Sequence, residues 1–456
     1  MNRVLELIKN PIKSDSNNQW LFPDYPGASH DKGIRCDFIT SNTWNERIYN
    51  HELEQIIKID DANVRINKAV ELYANKIETL LMEGTGPDVI ICTEPLDIEK
   101  YCGISEHTRG AKRPRFTELE KRVANFKESG QSFLDDWIID IGDEEHDEKD
   151  DSDIYSEKEK SYDFRRALKG RAMKYDPPTQ LIRESSLEGT LNWSKNIGLQ
   201  HPSTFAWNLS TGLYYKARGR PWRLAKLEEG TCYVGISFYK NKLDPRENIE
   251  TSMAQVFTHT GQGFVLRGSD VIKDEYTRDY HLSLSQAETL LGDALNLYEE
   301  KVKTKPRRVV IHKTTLFNDN EINGFKKVIN KIPYDFVSIK TERDFKFLRT
   351  GKYPVLRGTA ISLTKNECLL YATGYTPRIR TYPGHRIPLP LHIIHNGESE
   401  INTICKEILG LTKLNWNTTQ FSTQYPITLE FAMRVGQVLS ELPEEWEMKN
   451  HYRYYM

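Results

Sequence analysis

Thr231–Lys240 reads TCYVGISFYK and Arg307–Lys313 reads RRVVIHK, and these two runs decide the fold. Both are rich in the β-branched and aromatic side chains that favour extended backbone. RRVVIHK shows no alternating polar face, as expected of a strand covered on both sides. Between them, MAQVFTHTGQGFVLRG (Met253–Gly268) carries two apolar runs parted by Thr260–Gly263, the pattern of a hairpin. A helical period opens at Ser285, with Glu288 at capping-box spacing, and a second opens at Asn318, with Glu321 in the same relation. YDFVSIKT (Tyr334–Thr341) and GTAISLTKNECLLYATG (Gly358–Gly374) add strands. SEINTICKEILG (Ser399–Gly410) and PITLEFAMRVGQVLSEL (Pro426–Leu442) end the chain as helices, with Pro426 suited to a first turn.

An antiparallel meander followed by alternating helix and strand is the layout of an RNase H-like sheet. Periodicity alone also admits other mixed folds. Upstream, INKAVELYANKIETLLMEG (Ile66–Gly84) is helical and PDVIICTEP (Pro87–Pro95) is a buried strand. A helix is expected near Phe116–Phe126, and another over DFRRALKGRAMKY (Asp163–Tyr175). PTQLIRES (Pro178–Ser185) is a strand, and TFAWNLSTGLYYKARG (Thr204–Gly219) is a helix with Gly219 placed to end it. This first half is α/β of Rossmann-like type, in which ligands favour strand ends and helix N-termini.

The chain has 456 residues, enough for two or three domains, and 38% hydrophobic with 28% charged residues describes a globular protein. No apolar run approaches the ~20 residues of a membrane span, and the N-terminus is too polar after Ile8 for a signal-peptide core. Six cysteines without a CxxC pair argue against a zinc ribbon or a disulfide framework and fit a reducing cytoplasm. His392 and His395 have no third metal ligand near them in sequence and read as structural. The net charge of −2 hides segregation, since thirteen acidic residues lie in Asp135–Glu159 and read as a solvated, mobile insertion. The remainder is basic, with clusters at Arg109–Arg115 and Arg165–Lys174. Such clusters can track a phosphate backbone, and are equally well read as solvated helix faces.

Taken together, YVGISF, FVLRG, RRVVIHK, GTAISL, PLPL (Pro388–Leu391), LTKLNWNTTQ (Leu411–Gln420) and PITLEFAMRV resemble a PIWI domain in order and spacing. DFRRALKGRAMKYDPPTQLI and WNLSTGLYYKARGRPWRL (Trp207–Leu224) resemble a MID domain. The chain is thus similar to a short prokaryotic Argonaute, with no room for N-terminal or PAZ domains. The resemblance implies an N-terminal segment (1–60) packing on the rest, a MID domain (61–224) with the acidic insertion at 135–160, and a PIWI domain (225–456). It is densest from Asp163 onward and loose over the first sixty residues.

In that family a MID pocket holds the 5′-phosphate of a short guide strand, and the matching positions here are Arg165, Lys169, Gln180 and Lys216. The residue types suit such a ligand, because a terminal phosphate is dianionic and needs several charge-assisted donors. Arg165 and Lys169 stand at i and i+4 on one helix face, and a Gln amide donates while its oxygen accepts. A lysine on an amphipathic helix is more often only a solvated charge. It is the four positions together that point to a pocket. Arg165 replaces the usual Tyr or His, and a guanidinium can stack on a base or fork onto phosphate. Asn208 resembles the position bordering the first guide base. Gly212 stands where some relatives carry a Gln that holds a divalent ion, and the Met456 carboxylate is the remaining candidate ligand for Mg²⁺ at the phosphate.

The resemblance also locates the positions of the PIWI nuclease carboxylates, which hold two Mg²⁺ ions. They read Ser237, Thr314 and, within LTKLNWNTTQ, Asn415, with Lys413 and Asn417 nearby. No catalytic metal and no cutting are expected. Relatives of this kind act in prokaryotic immunity beside an APAZ-domain effector protein carrying a TIR, SIR2 or nuclease domain. Target recognition there switches on the partner, commonly an NADase, and leads to abortive infection. The implied partners are a guide RNA, a single-stranded DNA target and that effector, with no membrane and a higher oligomer of the heterodimer on target binding. Two alternatives are a nuclease with other metal ligands (the acidic run, or Asp244 and Glu247) and a protein-interaction scaffold with a vestigial pocket.

Overall fold

The computed structural model describes the chain except residues 1, 16–18, 42–43, 83–85, 104–162, 192–200, 226, 241–249, 258–262, 275–278, 380–386, 443–445 and 447. The acidic insertion, the cluster at 109–115, the helix expected at 116–126, and Asp244 and Glu247 lie outside the described residues. Among the described residues no helix is long and apolar enough to cross a membrane.

The first half is built on two parallel strands, β1 (Ile90–Glu94) and β2 (Thr179–Arg183), in register from Ile90 beside Thr179 to Glu94 beside Arg183. Helices α1 (Asn2–Lys9), α2 (Asn50–Ile57), α3 (Ala62–Met82) and α4 (Leu96–Tyr101) come before the undescribed segment; α5 (Phe164–Ala172), α6 (Glu184–Leu191) and α7 (Pro202–Lys216) follow it. Ile66, Val70, Tyr73 and Ile77, a helical stripe on α3, bury against Phe164 and Leu168 of α5 and Cys92 of β1. Each such side chain stabilises by roughly 1.5–3 kcal/mol. The opposite layer joins Leu209 and Leu213 of α7 to Val4 and Ile8 of α1. Tyr25 hydrogen-bonds Ser210 at 2.6 Å and the carbonyl of Ile8 at 2.7 Å, and its ring meets Trp207 edge-on. The N-terminal segment is thereby packed onto α7.

The second half is one eight-stranded sheet. Its strands are β3 (Thr231–Lys240), β4 (Glu250–Phe257), β5 (Gly263–Asp270), β8 (Arg308–Lys313), β9 (Tyr334–Thr341), β10 (Ala360–Ser362), β11 (Glu367–Leu370) and β12 (Leu391–Gly397). The order is β10-β11-β12-β9-β8-β3-β4-β5, antiparallel except for β3–β8 and β8–β9. A two-stranded ribbon, β6 (Ile272–Lys273) and β7 (Tyr280–His281), leads into α8 (Leu284–Val302). With α9 (Asp319–Ile329), α8 covers one face through Cys232, Val234 and Ile236 of β3. Helices α10 (Ile401–Leu411) and α11 (Ile427–Leu439) cover the other, where Tyr233 and Tyr239 point. Helix α11 crosses β3 so closely that a Cβ on Gly235 would lie 2.2 Å from the Thr428 carbonyl.

Among the described residues the strands and long helices expected from periodicity are present; their ends differ in instructive ways. Helix α8 is capped two residues before Ser285: the Ser283 hydroxyl accepts from Gln286 N–H at 3.3 Å, and Gln286 Oε1 accepts from Ser283 N–H at 2.8 Å. That leaves Glu288 outside the cap, facing Lys327 at 3.5 Å. Helix α7 ends on Ala217, and Arg218, not Gly219, takes the left-handed backbone at φ +70°. Gly219 is needed for another reason, because a Cβ there would enter the Tyr214 ring at 2.5 Å. Pro426 caps α11 from just outside its first turn. Strand β12, behind two prolines, has no counterpart in the sequence expectation. It pairs with both β9 and β11, and its histidines are structural: His395 meets Asp335 and His392 meets Glu367, each at 2.7 Å.

Candidate nucleic-acid interface

Gln180, second residue of β2, and Lys216, last residue of α7, are brought together. The Lys216 ammonium donates to the Thr179 carbonyl at 2.9 Å and to Gln180 Oε1 at 2.6 Å, and the residue is only 1% exposed. Gln180 Nε2 donates to the Leu181 carbonyl at 2.9 Å, fixing which end of the amide faces the lysine. A buried ammonium is a strong local positive charge in a low-dielectric setting. Its field reaches β1, where it opposes the burial that pushes the Cys92 thiol up to about 12.

Met456 arrives at the same place. A Cβ on Gly212 would lie 3.5 Å from Met456 Cε and 3.9 Å from Gln180 Oε1, so Met456 and Gln180 both lie within van der Waals reach of this point on α7. The tail reaches it by successive anchors. Asn450 accepts from Val265 N–H at 2.9 Å, Tyr452 stacks on Phe431 with ring centres 3.4 Å apart, and Tyr454 donates to Asp176 at 3.1 Å.

Arg165 lies elsewhere in the pocket's frame. Its Nε is 3.6 Å from Glu94, whose carboxylate also faces Arg183 at 3.9 Å. Glu94 ends β1 beside Arg183, whereas Gln180 lies beside Ile91, three residues or ~10 Å back along the strands. Lys169 stands one turn along α5 from Arg165, on the stretch running back towards the start of β2. Arg165 is therefore a side wall tethered by Glu94, a carboxylate the sequence reading missed. The signal available was a lone acid at the end of an otherwise apolar strand. Beyond the start of β2, Lys174, Tyr175, Arg218 and Arg453 border a cavity of about 480 Å³ whose lining includes none of the four predicted residues.

Asn208 joins the two halves. Its side-chain oxygen accepts from both the backbone N–H and the hydroxyl of Thr419, each at 2.8 Å. Trp222 donates to the Lys413 carbonyl at 2.8 Å, Trp416 donates to the Trp222 carbonyl at 3.2 Å, and the Trp416 ring packs 4.7 Å from Tyr215. The Leu411–Gln420 stretch is thus fastened to α7, the helix that carries Lys216.

Ser237 lies on the β3 face turned to α11, 3% exposed, with no hydrogen-bond partner for its hydroxyl among the described residues. Ile236 pairs with Lys313, the last residue of β8, and Thr314 follows it just outside the strand. Asn415 is buried, and its oxygen accepts from Asn417 N–H at 3.0 Å. Lys313 turns to the other face, where it meets Glu321 at 2.6 Å. Among the described residues there is no group of three or more His, Cys, Asp or Glu able to hold a metal ion. Hydroxyl and amide groups make a poor seat for two Mg²⁺ ions, so the donor set at Ser237, Thr314 and Asn415 does not fit that pair.

The chain joins an α/β half built on two parallel strands to an RNase H-like eight-stranded sheet. No family model matches the chain. It is similar to the protein argonaute of Aquifex aeolicus (strain VF5), 20% identical over 281 residues, covering 61% of this chain and 36% of that protein. The crystal structure of Aa-Ago with externally bound siRNA superposes with a TM-score of 0.50 at 15% identity, over 90% of this chain and 49% of that one. Clostridium butyricum Argonaute, solved with a guide DNA and a 19-mer target DNA, gives 0.48 at 20% identity over 61% and 36%. The fold is the Argonaute one, consistent with a MID–PIWI arrangement, and the chain spans half or less of the length of these relatives.

Proposed function

We propose that this chain grips a short guide strand by its 5′-phosphate, presents it to a complementary strand, and does not cut. The observation that carries the reading is the convergence of Lys216, Gln180 and Met456 on one buried point, with Lys169 on the adjoining helix. Asn208, at the end of that pocket, borders the first guide base while it fastens the Leu411–Gln420 stretch. Gly212 offers no side-chain oxygen, and Gln180 Oε1 is already engaged by the Lys216 ammonium, so neither supplies a ready ligand for a divalent ion at the phosphate. The donor set fits an ammonium-held phosphate better than a metal-held one. Guide retention is therefore expected to survive EDTA.

The neutral set at Ser237, Thr314 and Asn415 supports recognition without cleavage. A chain that only recognises needs something else to act, and the resemblance points to a separately encoded APAZ-containing effector, of NADase type in the usual case, in the cytoplasm of a prokaryote. RNA guides and single-stranded DNA targets are the expected pair. The test is copurification. The wild type is expected to carry short 5′-phosphorylated oligonucleotides, and Lys169→Glu and Gln180→Ala to lose them by tenfold or more while melting normally. Unchanged cargo in both variants sinks the pocket, and divalent-dependent cleavage of a complementary strand sinks the inactivity.

A further inference from the structure

The loop between β9 and β10 carries a feature that the pocket does not explain. Arg343–Arg357, RDFKFLRTGKYPVLR, holds five cationic side chains against one carboxylate, interleaved with Phe345, Phe347, Leu348 and Tyr353. Large apolar groups here face solvent: Leu348 is 82% exposed and Phe345 55%. The loop is nonetheless held in place. Phe347 N–H donates to the Tyr371 hydroxyl at 2.7 Å, Arg357 N–H to the Tyr375 carbonyl at 3.0 Å, and Tyr375 N–H to the Val355 carbonyl at 2.9 Å. Gly374, at φ +142°, permits this approach, since a Cβ there would lie 2.5 Å from the Val355 carbonyl.

The aromatic rings form flat, paired surfaces edged with charge. Tyr353 and Tyr375 stack at 4.2 Å with planes 13° apart, and Phe345 and Phe347 at 6.0 Å and 29°. Arg349 sits 5.4 Å from the Tyr375 ring and Lys352 5.9 Å from Tyr353. The surface continues to Phe421, which lies just past the Leu411–Gln420 stretch and has Arg357 at 5.3 Å and Lys413 at 4.9 Å from its ring. Two cations crowd that ring. Burial pushes Arg357 down to about 10, and burial with the Arg357 charge pushes Lys413 down as well. An incoming anion would relieve both.

We infer that this loop, with Tyr375 and Phe421, is a docking platform for single-stranded nucleic acid, stacking unpaired bases on its rings and holding the phosphates with Arg349, Lys352 and Lys413. Charge complementarity and ring geometry select that occupant: stacked aromatics beside cations accept any base face without reading sequence. The inference rests on the proposed recognition role and deepens it, the natural occupant being target strand outside the guide-paired region.

Anisotropy with a labelled oligothymidylate of about 15 nucleotides tests the platform on the purified chain, alongside a guide-complementary target with and without an unpaired thymidine tail. Phe345→Ala/Phe347→Ala and Arg349→Glu/Lys352→Glu are each expected to weaken the oligothymidylate and the tailed target about tenfold, through lost stacking and lost phosphate contacts respectively. The untailed target and the copurified guide are expected to stay unchanged. Equal affinity of wild type and both variants for the tailed and plain strands overturns the platform. So does loss of a copurifying protein with oligothymidylate binding intact, which would make the patch a protein interface. Absent guide with retained oligothymidylate binding refutes the guide pocket and leaves the platform standing.

Discussion

Burial holds the Glu94 carboxyl up at about 7, against the pull of Arg165 and Arg183. In the unfolded chain the same group titrates near 4.5, so folding favours its protonated form. The stabilising contribution is therefore complete below pH 4.5 and is lost as pH climbs through about 7, a loss of as much as ~3 kcal/mol. Buried His312 and His451, pushed down to about 3 and about 4 by burial, act in the opposite sense by disfavouring the fold in acid. Comparison with Glu94→Gln isolates the carboxyl. The wild type is expected to lose stability relative to that variant between pH 5 and pH 7.5, measured by urea denaturation at each pH, and a constant difference would show Glu94 ionised throughout. At this scale Lys169, Gln180 and Lys216 were nominated through the family resemblance, and of them Gln180 and Lys216 stand in contact in the fold. The tether from Arg165 to Glu94 was not legible in the sequence, because it joins residues 71 positions apart across an undescribed segment, and no local pattern encodes it.

Elements were read best where burial imposes a clean period. TCYVGISFYK and RRVVIHK became neighbouring parallel strands because both lack a polar face and must be covered twice. The misplaced ends have local causes. Ser283 and Ser285 both precede a plausible partner at three residues, and the choice between them depends on which register buries Ala287, Leu290 and Leu291 against the sheet. At the end of α7, a glycine one position late disguised an arginine in the left-handed turn, where Arg218 faces Asp176 at 3.6 Å. Strand β12 was hidden because pairing on both edges gives it hydrogen bonds that PLPLHIIH does not advertise. A close crossing between elements is at Gly235, where a methyl group would meet the Thr428 carbonyl of α11. Gly235→Ala is expected to cost about 3 kcal/mol through overpacking, read from the urea midpoint at unchanged slope. A cost below ~1 kcal/mol would mean that α11 slides freely over β3.

Across the whole molecule, the two halves meet at the pocket through the C-terminal tail. Residues 450–456 touch β5 through the Val265–Asn450 hydrogen bond, α11 through Tyr452 on Phe431, the loop before β2 through Tyr454 on Asp176, and α7 where Met456 lies beside Gly212. The tail is thus one strap from the RNase H-like sheet to the lysine and glutamine proposed to hold phosphate. Each anchor is modest, roughly 1 kcal/mol for a hydrogen bond and ~0.5–1.5 kcal/mol for a ring pair beyond its buried area. Their effect is geometric, because removing the strap frees Gln180 Oε1 and Lys216 from the residue packed beside them and uncouples the two halves. Truncation after Asn450 is expected to lower the melting temperature by several degrees and to reduce copurified oligonucleotide by tenfold or more. Met456→Ala keeps the three upstream anchors, and is expected to retain most of the cargo. Truncated chain that melts early yet carries a full complement of guide would show that the tail only staples the fold, and that Lys169, Gln180 and Lys216 hold phosphate without it.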